Sequence, residues 1–67
     1  MTITLNNRTE NIKQETLTIS ELLRVKNFTF KFLVIKINGK LIKKDKYIEA
    51  KVSDGDKVDI IHMISGG

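Results

Sequence analysis

The chain contains no cysteine, no proline and no tryptophan, and each absence closes off a class of protein. Without cysteine there is no disulfide to staple a small domain, no thiolate nucleophile and none of the usual soft metal ligands, so stability must come from packing. Cys-based redox or persulfide chemistry on this chain is likewise excluded. Without proline, no element is forced to break. No apolar run approaches the ~18 residues of a membrane span. The opening residues Met1 to Asn6 lack both the basic and the apolar parts of a signal peptide, so the expected location is the cytoplasm, with no membrane involved. There is also no internal repeat and no linker-like stretch. Size adds one more exclusion. A domain of 67 residues buries only about 60% of its unfolded surface, which leaves room for one core and not for a deep substrate pocket. No nucleophile, base and orienting group occur at workable spacing. The chain is expected not to be an enzyme and to bind no cofactor of its own.

What is present is charge, alternation and turn chemistry. Twelve Lys and Arg against eight Asp and Glu give a net charge of +4 and a pI near 9.6, which suits an acidic partner without saying whether protein or nucleic acid. Ile3 and Leu5 alternate with Thr2 and Thr4, the period of a strand with one buried face. Asn6-Asn7 offers a turn, because Asn tolerates left-handed backbone, and Arg8 to Glu15 around Ile12 reads as a short irregular return strand. At Thr18-Ile19-Ser20-Glu21, Thr followed three residues later by Glu is a capping box, so a helix is expected from Ile19. Ile19, Leu22 and Leu23 form its apolar stripe, Lys26 suits its negative pole and Asn27 is its expected stop.

After Phe28 to Phe32, the run Leu33-Val34-Ile35-Lys36-Ile37 has the β-branched composition of a central strand. Asn38-Gly39 is a strong hairpin signal, with Lys40 to Ile42 as the partner strand. Asp54-Gly55-Asp56 marks a turn before a last strand, Lys57 to Ile61. The order β-β-α-β-β-β is an α+β arrangement: a mixed sheet of four to five strands with one helix across one face, the ubiquitin-like β-grasp layout. A single domain spanning 1–67 is expected, with residues 64–67 as a flexible C-terminal tail.

The tail, Ile64-Ser65-Gly66-Gly67, is the most informative segment. At average glycine usage a pair at a given place arises by chance in about 0.5% of chains. Two glycines have no side chains beyond backbone width and a wide choice of φ and ψ, so they thread a narrow cleft in another protein. In that reading the Gly67 carboxylate is a substrate: a partner transfers AMP from ATP onto it, and a sulfur nucleophile displaces the AMP.

The segments Ile19-Ser20-Glu21-Leu22-Leu23, Val34 through Lys40, Asp54 through Ile61 and Gly66-Gly67 together resemble the sulfur-carrier proteins of thiazole biosynthesis in the thiamin pathway. The resemblance spans nearly the whole chain. It implies a β-grasp fold and a C-terminal glycine, here Gly67, that is adenylated by an E1-like adenylyltransferase and then thiocarboxylated. ATP and Mg are used by that partner, a sulfur-donating enzyme supplies the sulfur, and thiazole synthase takes it. That family often has Gly where this chain has Asn7 and Asn27, and Asn reaches the same conformation at some cost.

The remaining signals are weaker. On the last strand Val58 and Ile60 should face the core, while Ile61 and Met63, in the other phase, form either a partner patch leading to the tail or the edge of the core. His62, the only histidine, lacks companions at ligand spacing and is assigned no role. Asp54 and Asp56 are explained by turn chemistry, since the other oxygen ligands of a calcium loop are missing. Lys40, Lys43, Lys44 and Lys46, near Tyr47, are either a solvated loop or a basic patch that meets an acidic protein surface in preference to nucleic acid. Two alternatives follow. One is the small subunit of molybdopterin synthase or another ubiquitin-like sulfur carrier. The other is a small basic RNA-binding β-grasp module, with Phe28, Phe30, Phe32 and Tyr47 available to stack on bases.

Overall fold

The structure is a computed structural model, and residues 1–28 and 33–62 are described. Seven strands and one α-helix occur among them: β1 (Thr2–Leu5), β2 (Arg8–Asn11), β3 (Thr16–Thr18), α1 (Ile19–Val25), β4 (Leu33–Ile37), β5 (Lys40–Ile42), β6 (Lys51–Ser53) and β7 (Lys57–His62), with a single 3-10 turn at Lys44–Lys46. Five strands form a mixed sheet in the order β2-β1-β7-β4-β5. β7 is its middle strand, parallel to β1 and antiparallel to β4. β3 and β6 form a separate antiparallel pair.

Local chemistry explains the elements. The capping box forms as the sequence suggests: the Thr18 hydroxyl accepts from the Glu21 backbone N–H at 3.1 Å, and the Glu21 carboxylate accepts from the Thr18 backbone N–H at 2.9 Å. Those hydrogen bonds, the backbone one foremost, stabilise the charged form and hold the Glu21 carboxyl below its ordinary value. At the other end of α1, Asn27 sits at φ 63°, a left-handed stop. Asn6 and Asn7 take φ of 49° and 66°, and Asn38 and Gly39 take 52° and 82°, so both expected hairpin turns form with positive φ. Asn7 and Asn27 thus adopt the backbone region in which the resembling family often places glycine.

One face of the sheet and the inner stripe of α1 make the core. Ile3, Ile19, Leu22, Ile35, Val52 and Val58 are almost completely buried, joined by Leu5, Ile12, Leu17 and Ile60, and Leu23, Phe28, Leu33, Ile37, Ile42 and Tyr47 pack around them. No polar or charged side chain lies within this core among the described residues, so the hydrophobic effect dominates its stability, at about 1.5–3 kcal/mol per fully buried aliphatic side chain. Tyr47 is half-buried beside it, and desolvation of the phenolate raises its pKa above the ordinary value.

Two features differ from the sequence reading. The return strand ends at Asn11 rather than running to Glu15; Ile12 is buried just beyond it, and the Ile12 N–H donates to the Met1 carbonyl at 2.8 Å. The pair β3–β6 was not foreseen. Each of its strands is three residues long with one buried side chain, Leu17 in β3 and Val52 in β6, and alternation cannot be read from a single apolar residue. The pair has a structural task. It joins the start of α1 to the approach to β7, with the Ile19 N–H donating to the Ala50 carbonyl at 2.9 Å.

Candidate functional site

The segment that the sequence singles out follows, along the chain, the middle strand of the sheet. β7 is held by β4 along Leu33↔His62, Val34↔Ile61, Ile35↔Ile60, Lys36↔Asp59 and Ile37↔Val58. On its other edge, backbone pairing with β1 covers Thr4↔Lys57 and Leu5↔Val58. A strand paired on both edges is a firm base for whatever follows it. Met63, Ile64, Ser65, Gly66 and Gly67 lie outside the described residues, as do Phe30 and Phe32.

Alternation along β7 is as expected: Val58 and Ile60 are buried, while Ile61 is 48% exposed. Because successive side chains point to opposite faces, Ile61 stands on the sheet face away from the core. Its cross-strand neighbour is the half-buried Val34. On the next strand Leu41, 54% exposed, pairs with Lys36 and so lies diagonal to Val34 on the same face. An apolar group of Val34, Leu41 and Ile61 therefore flanks the exit of β7, with Lys36 and the half-buried Asp59 as charged neighbours. The sequence reading found Ile61 and missed Val34 and Leu41. The available signal was that Val34 is apolar in the phase opposite to Leu33, Ile35 and Ile37.

Asn6, read from the sequence only as a turn residue, reaches β7. Its Oδ1 accepts from the Ile60 N–H at 2.7 Å and its Nδ2 donates to the Ile60 carbonyl at 3.1 Å, across 54 residues of sequence.

The other candidates separate. Lys40, Lys43, Lys44 and Lys46 are all exposed, and Lys46 lies 3.5 Å from the Glu49 carboxylate. Tyr47 turns toward the core, its hydroxyl 3.5 Å from the Leu33 carbonyl, and Phe28 also packs on the core. Neither is a free stacking surface. Asp54 and Asp56 act in turns: Asp54 Oδ1 accepts from the Thr2 N–H at 2.6 Å, Asp56 Oδ2 accepts from the Ser53 N–H at 2.8 Å, and Asp56 Oδ1 accepts from Asn38 Nδ2 at 3.1 Å. His62 is exposed opposite Leu33. Among the described residues, no three His, Cys, Asp or Glu side chains gather into a metal-binding group, and no helix is long and apolar enough to cross a membrane.

With this geometry in place, three comparisons with known proteins agree. The family model described as ThiS family matches residues 3–67. The sulfur carrier protein ThiS of Bacillus subtilis (strain 168) is 32% identical over 63 residues, covering 94% of this chain and 96% of that protein. The crystal structure of the thiamine biosynthesis protein ThiS from Geobacter metallireducens superposes with a TM-score of 0.91 at 25% identity, covering all of both chains. An NMR solution structure of a thiamine biosynthesis protein from the same organism gives a TM-score of 0.81, also at 25% identity, over the whole of this chain and 88% of the other.

Proposed function

Because the chain belongs to the ThiS family and is a β-grasp sulfur carrier of thiamine biosynthesis, we propose that its sulfur is carried on the Gly67 carboxyl group. The observation that carries this reading is the joining of two things: a family match that extends through Gly66-Gly67, and a middle strand paired with β4 as far as His62, five residues before Gly67. The fold supplies a rigid base, and the side-chain-free glycines supply an end slim enough for a partner's cleft.

The chemistry belongs to partners. A free carboxylate resists nucleophiles. An E1-like adenylyltransferase, using ATP and Mg, lets a carboxylate oxygen attack the α-phosphorus and expels pyrophosphate, giving an acyl adenylate. Hydrosulfide, sulfide-level sulfur released by a sulfur-donating enzyme, then attacks the acyl carbon, AMP leaves with the acyl-oxygen electron pair, the S–H proton goes to solvent, and Gly67 ends as a thiocarboxylate that thiazole synthase receives. Stabilising the charge that develops on the phosphoryl and acyl centres is the partner's task, so this chain provides no catalytic residue and no bound cofactor. Its own residues bind and present. Ile64, Ser65 and Gly66 thread the cleft, and Ile61, with Met63 beyond it and Val34 and Leu41 beside it, forms the apolar contact at its mouth. The work is placed in the cytoplasm, away from membranes.

Within this reading, the family match favours the thiamine pathway over molybdopterin synthesis. The inward packing of Phe28 and Tyr47 removes two of the four aromatic residues that an RNA-binding surface would have used. The test is intact-mass analysis after incubation with the activating enzyme, ATP and a sulfur donor. Gly67 should gain the mass of one oxygen replaced by sulfur, and the variant lacking Gly67 should gain nothing. Equal modification of that variant overturns the assignment.

A further inference from the structure

The middle strand is held by different means on its two edges. Toward β4 a backbone ladder continues to His62. Toward β1 the backbone pairing stops at Leu5↔Val58, because Asn6 and Asn7 swing into left-handed conformations to start β2. The Asn6 N–H still donates to the Val58 carbonyl at 2.9 Å. One rung further, a regular parallel ladder would offer Ile60 a peptide acceptor and a peptide donor, and the turn takes both away. The Asn6 side chain replaces them, giving Oδ1 to the Ile60 N–H and Nδ2 to the Ile60 carbonyl. A carboxamide presents one acceptor and a donor in one plane, as a peptide group does. Aspartate has no donor at neutral pH, and glutamine is a methylene longer.

We propose that Asn6 is a positioning residue for sulfur loading, its carboxamide clamping the tail-bearing strand at Ile60 and so fixing the base from which Gly67 is delivered to the activating enzyme. This rests on the carrier reading above. From Ile60 to Gly67 the chain advances seven residues, a reach of at most about 25 Å when extended. For so short an arm, the position and order of its base set how often its end enters a partner's cleft. Loss of the clamp leaves β4 alone to hold the strand there, so local opening at Ile60 becomes more frequent. The cost falls on productive docking rather than on the chemical step, which occurs after the end is seated.

The decisive variant is Asn6→Gly. Glycine keeps the left-handed backbone and removes only the amide. Its control is Asn7→Gly, at a neighbouring left-handed position whose side chain makes no hydrogen bond among the described residues. Two quantities are measured: amide hydrogen exchange at Ile60 relative to Val58 in the free protein, and steady-state loading by the activating enzyme with ATP and a sulfur donor. For Asn6→Gly, Ile60 exchange should rise relative to Val58 by roughly three- to tenfold, and KM for the carrier should rise by a similar factor, with kcat unchanged, as expected for losing one or two hydrogen bonds. Asn7→Gly should leave both unchanged. Asn6→Asp keeps the acceptor and loses the donor, so it should show the same KM effect, and it decides the matter if the glycine variant does not fold. Unchanged exchange at Ile60, faster exchange with unchanged KM, or a fall in kcat alone overturns the role. A wild-type chain that is never loaded overturns the carrier reading and this role together, whereas normal loading with no change of KM in the variants overturns the role alone.

Discussion

The two ends of the sheet are built by opposite rules. At the end where β7 begins, two turns and the chain start are laced together, largely by side chains. Asp54 accepts from the Thr2 N–H, Asp56 accepts from Ser53 and Asn38, Asn38 Oδ1 accepts from the Lys57 N–H at 2.9 Å, and the Gly55 N–H donates to the Thr2 carbonyl at 2.8 Å. At the far end of β7, the Asn6 carboxamide ties the strand through Ile60, and the exposed Leu41 and Ile61 stand on its outer face. The contrast separates the end where polar ties are concentrated from the end that the carrier reading assigns to presentation. The laced end fixes the register of β1, β4 and β7 together, and the opposite end is the one that the carrier reading gives to a partner.

That division is open to direct attack. The largest effect belongs to the exit end: deleting Gly67, or adding a residue after it, should abolish sulfur loading in the mass assay and leave the unfolding midpoint unchanged. Asp56→Ala should do the reverse. Losing hydrogen bonds to a carboxylate from Ser53 and Asn38 should cost about 2–3 kcal/mol in urea unfolding, while each folded molecule is still loaded normally. Ile61→Asp should raise the carrier's KM for the activating enzyme by about tenfold, the factor for about 1.4 kcal/mol, and should move stability by less than about 0.5 kcal/mol, as for an exposed position. If Ile61→Asp unfolds the protein, or Asp56→Ala blocks loading of folded molecules, the separation of the two ends fails.

The smallest effect concerns α1, which neither end contains. Thr18→Ala should cost about 1 kcal/mol and should flatten the acid limb of the stability profile. Glu21 has a lowered pKa in the folded chain, so the stability it contributes is present above its unfolded value and is lost as pH falls through the folded one. Urea midpoints measured across that acid range in both proteins check the sign. Tyr47 acts at the other extreme. Its pKa is raised on folding, so stability should decline as pH climbs past the ordinary tyrosine value, and Tyr47→Phe should remove that decline.

Much of this was legible in the chain because the chemistry is local. Thr18 and Glu21 lie three residues apart, Asn38 and Gly39 are adjacent, and Val58 and Ile60 alternate within one strand; each pattern forms from neighbours and is seen in the structure. The β3–β6 pair was not legible, since Leu17 and Val52 give one buried side chain per strand. Nor was the outer-face group, because placing Leu41 beside Val34 and Ile61 requires the register of three strands. The Asn6 amide is the clearest case. As a turn residue it is predicted by its left-handed tolerance, but its bonds to Ile60 depend on the first strand lying parallel to the last. For the site itself, the glycine pair and the resemblance pointed to the family, and the family match agrees, while Met63 to Gly67 lie outside the described residues.

The place of β7 between β1 and β4 has a consequence for synthesis on the ribosome. Until Lys57 and the residues after it have emerged, the β1–β2 and β4–β5 hairpins have no strand joining them and the sheet lacks its keystone. A chain cut short before that strand is therefore not a blank carrier that competes for the same partners, but an open polypeptide for proteases to clear. Completion of the fold and possession of the delivering strand are the same event.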